Sequence, residues 1–131
     1  MRRAVIATLG TLAMLAAVAV RAESKYVEPQ DLTAGDRAAI TATVQSYGQC
    51  LQHEAGAILS KYDDSRHIAD IAMQKCQSTL AKVNKVMNDR HVDPGFIKGF
   101  VRMSRNREAN KMLQEVMMYK ATHAANAQGS Q

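Results

Sequence analysis

Residues 47–76, YGQCLQHEAGAILSKYDDSRHIADIAMQKC, hold both cysteines of the chain, Cys50 and Cys76, with the acidic pair Asp63 and Asp64 midway between them. Asp63, Asp64 and Ser65 suit a turn and the start of a helix. Their side-chain oxygens accept hydrogen bonds from the backbone N–H groups that a first helical turn leaves unpaired. If both flanks are helical, the cysteines lie at matched heights on an antiparallel hairpin. Helices packed about 8–10 Å apart bring inward-facing Cα atoms within the roughly 7 Å that a disulfide spans. A Cys50–Cys76 disulfide is therefore expected, worth roughly 3–4 kcal/mol through the freedom it removes from the unfolded chain. A reactive or metal-binding thiol pair would want C-x-x-C spacing, which is absent.

The flanks support the hairpin. Ile40, Val44, Tyr47, Leu51 and Ile58 recur at helical steps, and Cys50 falls on their face. On the other side Ile68, Ile71, Ala72, Cys76, Leu80, Val83, Val86 and Met87 form one apolar stripe, read as a single second helix. Gln45, Gln52, Gln74 and Lys82 turn outward. Thr33 and Asp36 have capping-box spacing at the start of the first helix. Gly48 and Gly56 each weaken that helix by roughly 1 kcal/mol and read as exposed, tolerated positions.

Asp93 followed by Pro94 is a strong start signal for a third helix. Phe96, Ile97, Phe100, Val101 and Met103 cluster in its first turns, and Met112, Leu113, Val116 and Met117 resume the pattern later. The polar stretch 104–110 between them fits either an exposed middle or a break near Ser104. Strand-like alternation is missing throughout. The fold expected is all-α: a three- to four-helix bundle built on a hairpin closed by one disulfide. The helical domain spans 33–120. A polar, loosely held N-terminal segment (23–32) precedes it, and a disordered tail of small and amide residues (121–131) follows.

The segments Tyr47 to Cys50, Tyr62 to Ala69 and Met73 to Cys76 resemble the small exported all-helical proteins of proteobacteria, a largely uncharacterised group with a disulfide-linked helical hairpin. The resemblance covers about a quarter of the domain; it implies the hairpin and supplies no activity. The general plan is more loosely similar to periplasmic acid-stress chaperones.

Residues 1–22 read as a cleavable secretory signal peptide, with Arg2 and Arg3 before an apolar run from Ala4 to Val20 and a cut expected after Ala22. That places the mature protein in the periplasm or outside the cell, where disulfides persist, with no membrane span after cleavage. The chain has 17 basic and 12 acidic residues, but three arginines and no acid lie in 1–22, leaving 14 against 12. Net charge therefore gives no reason to expect a nucleic-acid partner. The remaining charge is uneven: residues 23–64 carry three basic and seven acidic residues, and 65–131 carry eleven and five.

No catalytic constellation is recognisable, and no cofactor or metal site is expected. His53 and Glu54 begin like a zinc-protease motif, but Ala57 stands where the second histidine belongs. Asp63 and His67 have ligand spacing, with Asp64 and Asp70 nearby, but Asp63 falls in the expected turn and Asp64 is taken up as a helix cap. Lys98, Arg102 and Arg105 do fall on one helical stripe at i, i+4, i+7, a candidate surface for an acidic protein or another anionic envelope partner. The methionines of the C-terminal third, Met103, Met112, Met117 and Met118, read first as core filling and second as an adaptable apolar surface. The expectation is an exported, non-enzymatic binding protein of the cell envelope, of inhibitor, immunity or accessory type. The alternative is a small chaperone using its methionines.

Overall fold

The computed structural model describes residues 25–128. Four helices account for most of them: α1 (Ala34–Gly56), α2 (Ser65–Lys75), α3 (Gln77–Asn88) and α4 (Pro94–Gln128), after a single 3₁₀ turn at Pro29–Asp31. Among the described residues there is no strand, only an isolated parallel bridge between Val27 and Val92. The fold is an all-α bundle with a Cys50–Cys76 disulfide. The signal peptide expected at 1–22 lies outside the described residues.

Local chemistry accounts for the helix starts. Thr33 Oγ1 accepts from the Asp36 N–H (3.1 Å) while the Asp36 carboxylate accepts from the Thr33 N–H (3.3 Å), closing a capping box at α1. Asp64 accepts from the Arg66 N–H at the start of α2 (2.8 Å), and Asp93 from the Phe96 N–H before Pro94 opens α4 (2.8 Å).

The core has two parts stacked along α1 and α4. One joins Tyr47, Leu51, Ala55, Ile58, Ile68, Ala72, Met112 and Val116 between α1, α2 and the second half of α4. The other joins Leu32, Ile40, Val44, Val83, Met87, Val92 and Ile97 between α1, α3 and the first half of α4. Leu80 packs against both. Burying side chains such as Leu51, Ile68 and Val83 stabilises the fold by roughly 1.5–3 kcal/mol each.

Four features depart from the sequence reading, and a fifth, the continuity of the last helix, decides between its two alternatives. The expected second helix is two: α2 ends at Lys75, and α3 begins at Gln77 after Cys76, whose backbone (φ −89°, ψ 9°) is off the helical path. The bend lets α2 face one core and α3 the other. The first helix stops at Gly56, and Ile58 lies in the following turn, yet it remains buried because that turn folds back on α2.

Next, α4 runs without a break for 35 residues, about 52 Å at 1.5 Å per residue. Ser104, where a break seemed possible, is buried (2% exposed) on the helix face toward the bundle, where its small side chain fits. The helix also continues through the expected disordered tail to Gln128, because alanine is the best helix former and extending a helix needs no new nucleus. Finally, the N-terminal segment is tied down: the Val27 N–H donates to the His91 carbonyl (2.8 Å), and Leu32 enters the core.

Candidate functional site

The second turn of α4 carries Lys98, and the next two carry Arg102 and Arg105. All three line one groove between α3 and α4, of about 590 Å³. Leu80, Ile97 and Val101 form its apolar floor, Pro94 closes one end, and Asn84 and Asn88 of α3 make the opposite wall. The Asn88 amide donates to the Asn84 carbonyl (2.9 Å) and to the Asn84 side chain, so the two amides hold each other in place. The positive end of α4 adds its partial charge beside Pro94.

The groove lining contains no acid beside Lys98 and Arg102, while Arg105 shares a smaller hollow with Asp70 and has Glu108 one turn further along α4. Among the described residues the ion pairs are His53–Glu54, Lys75–Glu54, Lys85–Asp89, Arg90–Asp36, Arg107–Glu108 and Lys120–Asp63. None engages Lys98, Arg102 or Arg105. The groove therefore combines an apolar floor, two amides and three positive charges that stand outside any ion pair among the described residues. Its chemistry suits an anionic ligand that also has apolar surface.

Arg105 reaches a second, smaller hollow of about 220 Å³, which it shares with Tyr47, Asp70, Met73, Gln74, Gln77 and Leu80. Burial pushes the Tyr47 phenol above its ordinary range, Arg105 pulls it back and Glu108 adds to the rise. Leu80 and Arg105 line both spaces, so the hollow extends the groove toward α2. Asp70 is the one acid along this extension.

The sequence-level candidates are placed as follows. The basic stripe forms one wall of a concave site instead of a flat face. Leu80 reads in the sequence only as part of the apolar stripe, and Asn84 and Asn88 carry no signal of a site there, although the i, i+4, i+8 spacing of the three puts them on one edge of α3. Three of the four histidines have separate neighbours: Glu54 for His53 (3.4 Å), the Tyr62 ring for His67 (4.9 Å between centroids) and the Tyr119 ring for His123 (4.1 Å). His91 sits in the α3–α4 turn at positive φ. Among the described residues no three His, Cys, Asp or Glu side chains gather closely enough to hold a metal ion. Of the C-terminal methionines only Met112 fills the core. Met103, Met117 and Met118 are 59%, 56% and 70% exposed, which corrects the expectation of core filling for those three.

The chain matches no protein-family model, no curated protein and no solved structure at a significant level.

Proposed function

We propose that this is an exported, non-enzymatic helical binding protein of the cell envelope, of inhibitor, immunity or accessory type, which takes an anionic partner in the groove between α3 and α4. One observation carries the reading. Lys98, Arg102 and Arg105 converge on one groove of about 590 Å³ whose lining holds no acid, and among the described residues none of the three is in an ion pair. Uncompensated cations beside apolar surface are retained at a cost in self-repulsion, and a complementary anionic partner relieves it. The Cys50–Cys76 disulfide supports a non-reducing compartment.

The test is retention of an envelope component by the mature protein, compared with R102E/R105E. The expected result is a retained component that elutes with rising salt and is lost from the variant. Retention unchanged by the double reversal contradicts the reading.

A second reading, a chaperone-like protein, draws on the exposed Met103, Met117 and Met118 of α4. Suppression of aggregation of unrelated proteins, abolished by replacing these three with glutamine, is the result it requires.

A further inference from the structure

We infer that the occupant of the α3–α4 groove is an acidic amphipathic helix of a partner protein, with carboxylates at i, i+4 and i+7 and apolar side chains beside them. This rests on the groove being the binding site. It specifies the ligand.

The spacing of the cations selects the ligand's backbone. Lys98 to Arg102 is four residues of helix and Arg102 to Arg105 is three, or axial steps of about 6 and 4.5 Å. A helix lying along α4 repeats its own side chains at those same steps. An extended strand puts same-face side chains about 6.6 Å and then 13 Å along, overshooting the roughly 10.5 Å span of the three cations.

The floor selects the ligand's other face. Leu80, Ile97 and Val101 lie between the cation wall and the amide wall, so a partner must present apolar groups flanked by acid. A small inorganic anion leaves that floor wet. An amphipathic helix covers it with residues adjacent to the carboxylates, which is how helices dock in grooves between other helices. Asn84 and Asn88 then face the partner's other flank with amides, which tolerate polar side chains of either kind.

A bilayer surface fits less well. The exposed large apolar residues of α4 do not line the groove, Met103 and Met117 among them. At 100° per residue these two lie roughly 100° and 60° around α4 from Arg102, and farther from Lys98 and Arg105. A plane cannot take the methionines and the groove floor together. Acids close to the groove are few and mostly engaged: Asp89 by Lys85, Asp93 as the cap of α4, and Glu108 by Arg107, while Asp70 shares the smaller hollow with Arg105. The acidic groups that would compensate the stripe must come from outside it.

The experiment uses the oxidised mature chain and a dye-labelled helical peptide bearing glutamate at i, i+4 and i+7 next to a leucine stripe. Its comparison peptide has the same composition with the glutamates moved to the opposite side of the helix. Anisotropy titrations near physiological salt are run beside vesicles of phosphatidylglycerol and inorganic polyphosphate. The patterned peptide is expected to bind at least about tenfold more tightly than its isomer. R102E/R105E is expected to weaken it by more than about tenfold, and a peptide with lysine at the three positions to bind that variant in its place. N84D/N88D, which adds acid to the other wall without touching a cation, weakens the patterned peptide as well. Circular dichroism confirms that each variant is folded.

Equal binding of the two peptides overturns the inference. Binding of only vesicles or polyphosphate, lost in R102E/R105E, overturns the helical occupant and leaves the groove reading standing. If no probe responds to R102E/R105E, both fall.

Discussion

Cys76 is bonded to Cys50 across a Cα–Cα distance of 5.9 Å and is also the single residue separating α2 from α3. The staple thus holds the point where the second half of the hairpin changes direction, and it lies at the boundary of the two cores. With a sequence separation of 26 between the bonded positions, the disulfide contributes about 3.5 kcal/mol on the chain-entropy model. C50A/C76A should lose about that much in urea denaturation. The oxidised wild type should lose a similar amount on reduction. Equal stability of reduced and oxidised protein would contradict this account of the staple.

Gly48 and Gly56 occupy the same helix and should respond differently to alanine. A Cβ on Gly56 meets nothing within 4 Å, so G56A should gain roughly 0.5–1 kcal/mol from helix propensity. A Cβ on Gly48 lies 2.7 Å from Glu108 Oε2, so α4 approaches α1 closely there and the glutamate must move. G48A should gain less than G56A, and G48A/E108A should recover the difference. Thermal melts of the wild type and the three variants measure this.

Asp36 is held by more than its cap. Thr33 Oγ1 donates to its carboxylate (2.6 Å) and Arg90 Nε donates to the other oxygen (2.8 Å), joining the start of α1 to the turn before α4. The Thr33 hydrogen bond lowers the carboxyl below its ordinary 3.8, burial opposes this, and Arg90 lowers it further. A depressed carboxyl contributes stability that is present above its unfolded value and fades as pH falls through its folded value. Stability should therefore decline in the acid range below that ordinary value, and D36N should flatten that decline. An unchanged acid slope in D36N would assign it to other carboxylates. Glu54, lowered chiefly by its hydrogen bond from Lys75, is the other carboxylate held below its ordinary value.

His91 adopts φ 56°, which disfavours any residue with a Cβ, while its carbonyl receives the Val27 N–H. H91G should raise stability by about 0.5–1 kcal/mol, and H91V, with a branched Cβ, should lower it by more than 1 kcal/mol, in roughly the proportions such conformations carry. Denaturant midpoints at fixed pH decide the sign.

The sequence signals and their limits can be read from particular residues. Cys50 and Cys76 were legible because both fall in apolar stripes on either side of a turn. The bend at Cys76 was not, because the spacing from Ile68 through Ala72 and Cys76 to Leu80, Val83 and Met87 continues unchanged across it. No glycine or proline marks the place; two separate packing surfaces impose it. Half of the groove was legible, as the periodic stripe Lys98, Arg102 and Arg105. Its other half, Leu80, Asn84 and Asn88, reads as an ordinary helix edge until α3 is docked against α4. The exposed methionines escaped for the same reason, since hydrophobicity alone does not tell Met112 in the core from Met117 on the surface.

The most direct measurement for the groove is a titration of the ¹⁵N-labelled mature protein with the helical peptide bearing glutamate at i, i+4 and i+7 beside a leucine stripe, followed by amide chemical shifts. The account predicts shifts concentrated at Asn84, Asn88, Lys98, Arg102 and Arg105 that vanish as salt rises. Shifts spread over the whole surface, or gathered at Met117, Met118 and Tyr119, would contradict it.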